Sequence, residues 1–264
     1  MNRRSLPRLV ERNGFRNVRI HADARPADGE LCETAAAKYH KRLAVAQPCL
    51  SLNTGMADHP EREIYLIRHG ETEWARDGRH TGRTDIPLTE TGREQAEFLR
   101  PIFEGVEFET ILSSPLRRSF ETAYLAGLKD RIELSDDLRE WDYGDYEGIT
   151  TKQIREKVPN WTVWTHPCPN GETIEQVAAR ADRVIARCEQ VKGNVALFSH
   201  GHFLRVLVSR WIGLSRDNGR HFLLHTSTLS ILAYECEVHA IRTWNGPLIT
   251  AACAVPWSRQ EDSR

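Results

Sequence analysis

From Glu63 onward the sequence predicts an α/β domain with a largely parallel sheet, on three observations. Short apolar runs alternate with helix-like segments as far as Trp244, the order expected of successive strand-helix units. Two of those runs, Ile64–Ile67 and Val195–Phe198, are apolar throughout, as buried strands are. Both stop at a histidine followed by a glycine, Arg68-His69-Gly70 and Ser199-His200-Gly201. Carboxyl ends of strands are where open α/β sheets bind ligands.

After the first strand, Thr89 is placed to cap a helix that Ala96, Leu99 and Phe103 anchor to a core. Glu109–Ser113 reads as a short strand, and Pro115 suits the first turn of a helix continuing through Ala126. Thr173 to Gln190 predicts a long helix, with Ile174, Val177, Ala181, Val184, Ile185 and Cys188 at helical spacing. Asn194–Ser199 is the second strongly apolar strand, and a helix from Phe203 to Ile212 follows it. Ser227–Tyr234 and Val238–Trp244 read as two more strands.

Residues 1–58 have a different texture: Arg3, Arg4, Arg8, Arg12, Arg16 and Arg19 face a single early acid, Glu11, without periodicity. They read as an extension, disordered or poorly packed, in front of one domain over 59–258 and a polar tail at 259–264. An arginine-rich start can be a transit peptide, but those are serine-rich and only Ser5 occurs early. Met56, the only methionine besides Met1, would make a natural domain start.

At 264 residues and net charge −1 the chain offers no electrostatic reason to bind nucleic acid. Its six cysteines, at 32, 49, 168, 188, 236 and 253, form no Cys-x-x-Cys pair, which fits reduced thiols rather than disulfides or a zinc site. Cys188 and Cys236 read as core residues. No apolar segment approaches the roughly 20 residues of a membrane span, and no apolar signal region follows the N-terminus, so a cytoplasmic location without membrane partners is expected.

Four segments carry chemistry. In the first, neutral imidazole attacks phosphorus well and a guanidinium can hold a phosphate bidentately, so Arg68 beside His69 suits phosphoryl transfer to histidine. Gly70 would let the backbone approach the phosphate. Taken alone, the triplet reads more readily as a polar strand end, and the three further segments change that reading. Second, Ser199-His200-Gly201-His202 opens a helix whose free N–H groups would favour a phosphate oxygen. Third, Ser113-Ser114-Pro115-Leu116-Arg117-Arg118 brings two arginines into a helix's first turn, either a second phosphate fork or a solvated face. Fourth, Leu138-Arg139-Glu140-Trp141-Asp142-Tyr143-Gly144-Asp145-Tyr146-Glu147-Gly148 is an acid-rich loop among aromatics, where a carboxyl pKa can be raised for general acid work.

Together these segments, with Glu71-Thr72-Glu73-Trp74, Gly78-Arg79-His80-Thr81-Gly82-Arg83-Thr84-Asp85 and Asn170-Gly171-Glu172-Thr173, resemble the histidine phosphatase superfamily, which includes cofactor-dependent phosphoglycerate mutases. The resemblance covers about residues 62–245. It is strongest to the branch of broad-specificity acid phosphatases and sedoheptulose-1,7-bisphosphatase. It implies a three-layer sandwich, a central sheet between two layers of helices, with no cofactor and no metal.

Position by position, the resemblance implies that His69 is the nucleophile and forms a phosphohistidine. Arg68, Arg118 and His200 would hold the phosphoryl group, and Glu140 would be the general acid and then the base. Thr81 and Gly82 correspond to a substrate-contacting loop. Gly201, Arg83, Trp74 and His202 are expected to contact substrate, with Tyr143, Trp161 and Trp164 further along the wall and Glu147 shaping the loop. Mutase relatives carry an insertion with an arginine pair before the Asn-Gly-Glu segment. Here Gly148 to Asn170 holds only Arg155, and Ala75 stands where mutases carry asparagine. Both departures favour a phosphatase of small phosphorylated metabolites over a mutase, and the presence of all the expected groups disfavours a non-catalytic phosphate-binding module. A bisphosphate would need further cations, for which Arg83, Arg139 and His202 are the candidates. A homodimer is common among such proteins.

Overall fold

The computed structural model describes residues 62–246. The expectations for 1–58, for the tail at 259–264 and for Cys32, Cys49 and Cys253 lie outside those residues. Six strands form one sheet in the order β3-β2-β4-β1-β5-β6: β1 Ile64–Arg68, β2 Phe108–Ser113, β3 Ile132–Leu134, β4 Asn194–Ser199, β5 Leu229–Glu235 and β6 Val238–Gly246. The first four by position, β3, β2, β4 and β1, are parallel neighbours, whereas β5 and β6 run antiparallel at the far edge. Strands β4 and β1 lie at the centre of the sheet, between β2 and β5, which explains their uninterrupted apolar runs, since both faces are covered.

The period of two in β1 divides the core into two layers. Ile64 and Leu66 join Leu112, Leu197 and Leu232 on one face, while Tyr65 and Ile67 join Ile111, Ala196 and Phe198 on the other. The first face is covered by α6 Ile174–Glu189 and α7 Gly201–Trp211, through Val177, Ala181, Val184, Phe203 and Leu207. The second is covered by α3 Arg100–Phe103 and α4 Arg117–Leu125, through Phe103, Ala123 and the α3 N-cap Leu99, while α2 Glu90–Glu97 packs on α4. This is the three-layer arrangement the resemblance implied.

Several boundaries differ from the sequence reading for local reasons. The helix begun at Thr89 is capped as expected, with Gly92 N donating to Thr89 Oγ1 at 3.0 Å. It breaks after Glu97 because Pro101 has no N–H to continue the ladder, and α3 carries Leu99 and Phe103 onward. Pro115 lies ahead of α4 rather than in its first turn, because Leu116 is the N-cap in an extended conformation. Helix α7 starts at Gly201, with His200 as N-cap, two residues earlier than predicted. Cys188 is a core residue as expected, but Cys236 is exposed at φ 53° in the β5–β6 turn, where two residues reverse the chain. Strand β3 and the short helices α1 Glu73–Arg76 and α5 Thr151–Lys157 escaped the sequence reading. Among the described residues no helix is long and apolar enough to cross a membrane.

Candidate active site

Strands β1 and β4 are adjacent and parallel with Arg68 paired to Ser199, so their two histidines emerge side by side. His69 N continues the ladder to Ser199 O at 3.0 Å, and the His69 and His200 rings lie 5.1 Å apart. His69 Nδ1 is 2.7 Å from the Gly70 carbonyl, which can only accept, so Nδ1 carries the proton and Nε2 keeps its lone pair. Burial, then the charges of Arg118 and Arg68, push the His69 pKa well below that of an ordinary histidine. The imidazole is neutral at physiological pH.

Gly70 has a different purpose from the one its sequence suggests. A Cβ there would stand 2.3 Å from the Gly92 carbonyl oxygen, and a Cβ on Gly92 would stand 2.1 Å from Glu71 O. The two glycines let the loop after β1 press backbone to backbone against α2. Gly70 N is also held by Thr122 Oγ1 at 3.0 Å.

Arg68 borders the cavity in front of His69. Its Nη1 donates to Leu224 O at 2.5 Å, its Nε is buried without a partner, and no carboxylate pairs with it among the described residues. Arg118 and His200 lie behind His69 with no exposure and do not border the cavity. Arg118 donates to His200 Nδ1 (3.2 Å), Thr84 O (2.9 Å), Thr81 O (3.1 Å) and Gly82 O (2.9 Å), which uses four of its five N–H groups. With Nδ1 accepting, His200 presents Nε2–H to Ser114 Oγ at 2.8 Å. Burial and Arg118 hold His200 neutral as well.

Glu140 is buried and borders the cavity. Its carboxylate accepts from Phe203 N (2.8 Å), Trp141 N (2.9 Å) and His202 N (3.0 Å). The opening N–H groups of α7, expected from sequence to meet a phosphate oxygen, therefore go to this carboxylate. The acid-rich loop is thus held at a helix N-terminus rather than against an aromatic wall alone.

The cavity has a volume of about 280 Å³ and includes Thr81 and Gly201 among its walls. A Cβ on Gly201 would be 3.3 Å from the Arg68 guanidinium carbon, so the glycine makes room for that side chain. His202 also faces the cavity, with Nδ1 2.6 Å from Tyr143 Oη. Burial, Arg205 and His80 hold its pKa well below the usual range, so it is not the cation the sequence suggested. His80 is pushed down to about 4 by burial and packs 4.8 Å from the Tyr143 ring. Arg79 and Arg205, together with His80, were missed from sequence. Arg205 follows His202 by three residues on α7, a spacing that puts both on one helix face and could have revealed it.

Residues 64–247 match the family model described as the histidine phosphatase superfamily (branch 1). The chain belongs to the histidine phosphatase superfamily. It is 44% identical to an acid phosphatase of Mycobacterium tuberculosis over 71% of this chain and 91% of that protein. It is 35% identical to sedoheptulose 1,7-bisphosphatase of Saccharomyces cerevisiae over 56% of this chain and 67% of that protein. A solved structure of an open reading frame product of M. tuberculosis superposes with a TM-score of 0.68 at 41% identity, covering 72% of this chain and all of that one. The chain is thus an enzyme of the histidine phosphatase type.

Not every expected contact of this histidine phosphatase reaches the cavity. Trp74 packs under Gly148, where a Cβ would be 3.0 Å from the indole, and it does not border the cavity. Arg83 points outward, 74% exposed, and pairs with Asp142 at 2.7 Å. Gly82 lies one layer back: its carbonyl holds Arg118, and a Cβ there would be 2.1 Å from the Glu147 carboxylate. Glu147 shapes this loop as expected, accepting from Arg83 N and from Thr84 N and Oγ1. Trp161 is a core side chain. Among the described residues no group of three His, Cys, Asp or Glu side chains could hold a metal ion. A larger hollow of about 610 Å³ at the amino ends of β2 and β4 contains none of the site residues, so it is set aside as a catalytic centre.

Proposed function

We propose that this chain is a metal-independent phosphomonoesterase acting on small phosphorylated metabolites through a phosphohistidine on His69. The observation that carries the reading is the imidazole itself: neutral, Nδ1–H committed to Gly70, and sharing one cavity with Arg68 and Glu140. His69 Nε2 attacks phosphorus while the ester P–O bond breaks, and Glu140 gives its proton to the departing oxygen. Glu140, now a carboxylate, takes a proton from water as that water attacks the phosphohistidine, the P–N bond breaks and inorganic phosphate leaves. Charge on the equatorial oxygens is met by Arg68, which borders the cavity and whose Nε has no protein partner, while Arg118 and His200 back His69 from behind.

Hydrolysis is favoured over mutase chemistry by the cavity wall. Ala75 borders the cavity, and Arg155, the lone arginine of the 148–170 segment, turns away to donate to Trp161 O at 2.9 Å. A volume of about 280 Å³ is at the small end for ligand sites, which suits a compact metabolite. Of the three cations considered for a bisphosphate, Arg83 pairs with Asp142, Arg139 pairs with Asp136 and His202 is neutral. Arg79 and Arg205 border the cavity in their place. The test is phosphate release without added metal from an aryl phosphate, 3-phosphoglycerate, fructose bisphosphates and sedoheptulose 1,7-bisphosphate. A strong preference for one bisphosphate makes Arg79 and Arg205 the residues to mutate next. Even rates mean a broad phosphomonoesterase, and no release from any ester sinks the proposal.

A further inference from the structure

We propose that Arg180, paired with Glu172, is a positioning residue that sets Glu140 for proton transfer, an inference that rests on the reading of Glu140 as the general acid. Glu140 sits in a stretch between two short 3-10 turns, Asp136–Leu138 and Gly144–Tyr146, where no helix or sheet ladder holds the backbone. Its carbonyls need partners from elsewhere. Arg180, reaching over from α6 and 11% exposed, supplies them: Nη1 donates to Asp137 O and Arg139 O, both at 2.8 Å, and Nη2 to Glu140 O at 3.3 Å. Its Nε and Nη2 hold the Glu172 carboxylate at 2.8 Å each. All five N–H groups are thereby used, none on the cavity.

Glu172 completes the clamp from the other side. Its Oε2 accepts from Asp142 N at 3.0 Å, its backbone O accepts from Trp141 Nε1 at 2.9 Å, and its N donates to Asp142 O. The Arg180 guanidinium carbon also lies 5.0 Å from the centre of the Phe203 ring, and Phe203 N is the donor at 2.8 Å to Glu140 Oε1. One side chain therefore braces both the backbone that carries the acid and the helix end that its carboxylate meets. Lysine cannot do this, because three donors on a single nitrogen cannot span three carbonyls and a carboxylate.

Misplacing an acid matters most when the leaving group needs a proton. Arg180→Lys, Arg180→Met and Glu172→Gln in the full chain are assayed on 4-nitrophenyl phosphate, whose leaving group departs readily, and on glycerol 2-phosphate, an alkyl ester that departs only with a proton. The expected result is a loss of kcat/KM about tenfold or more larger for the alkyl ester than for the aryl ester. A purely structural role lowers both in the same proportion, through loss of folded enzyme, and equal losses or none overturn the proposal. Arg180→Lys keeps the charge and loses the fork, which separates geometry from electrostatics. If the Arg180 variants do not fold, Glu172→Gln, which preserves size, decides by the same ratio. Glu140→Gln is run on the same esters: alkyl bias there without bias in the clamp variants defeats this inference alone, whereas no bias in Glu140→Gln defeats the assignment of the acid.

Discussion

His69 differs from a solvent-exposed histidine at two atoms. The Gly70 carbonyl fixes the proton on Nδ1, which directs the lone pair of Nε2, and burial between Arg118 and Arg68 keeps that lone pair free of a proton. Replacement of His69 by alanine is expected to lower phosphate release by on the order of a thousandfold or more, with the urea unfolding midpoint little changed because the side chain sits at a strand tip. Turnover near that of the native enzyme would refute the nucleophile. The depressed pKa has a kinetic consequence of definite sign. Because His69 stays unprotonated well below pH 6.5, the acid limb of kcat/KM should lie well below that value, and a limb centred at 6.5 would mean an ordinary histidine is titrating.

Between the loop after β1 and α2, the contact is made by glycines rather than by side chains. Gly70 and Gly92 allow the loop after β1 to lie against α2, while α7 places its first N–H groups on Glu140. Gly92→Ala adds a methyl 2.1 Å from Glu71 O, so it is expected to destabilise the protein by about 1–3 kcal/mol, measured as a lower urea midpoint. An unchanged midpoint would show that α2 can retreat freely. A second element-scale test concerns α6, whose capping box joins Thr173 and Gln176. Thr173→Ala should cost about 1 kcal/mol by the same measurement. The Thr89 cap was read from sequence, whereas Thr173, read there as the first residue of its helix, is the N-cap. The glycine contact was not legible there, because Gly92 is 22 positions from Gly70 and its neighbour depends on how α2 packs.

At the scale of the fold, four imidazoles among the described residues, His69, His80, His200 and His202, are held below the usual histidine pKa, chiefly by burial. Below about pH 6.5 the unfolded chain binds protons at these positions and the folded chain does not, so stability falls as pH falls, by up to about 1.4 kcal/mol per pH unit for each group. For His80 the window runs from about 6.5 down to about 4. The urea midpoint at pH 5 should therefore lie below that at pH 7.5, and His80→Gln should make the difference smaller. An equal or larger difference in that variant would remove His80 from the account. The six strands and the cavity residues described here, His69 and Glu140 among them, come from the segment 62–246. Removal of residues 1–55 is accordingly expected to leave phosphate release nearly unchanged, and a truncated chain that fails to fold would refute that reading.

The sequence by itself determined what depends on local order: the apolar strands β1 and β4, the helix from Thr89, α6, and the polar tips that carry His69 and His200. These are legible because strand burial, helical period and capping act over a few neighbouring residues. The four ordered motifs likewise pointed to the family. Only the tertiary structure decided which groups share a wall. It set Arg118 and His200 behind His69, gave the α7 N-terminus to Glu140, turned Arg83 outward to Asp142, and brought Arg79, His80 and Arg205 into the cavity. It also joined Arg180 to carbonyls about 40 positions away. Those outcomes rest on the strand order β3-β2-β4-β1-β5-β6 and on competition among donors and acceptors from distant segments, which no local spacing records.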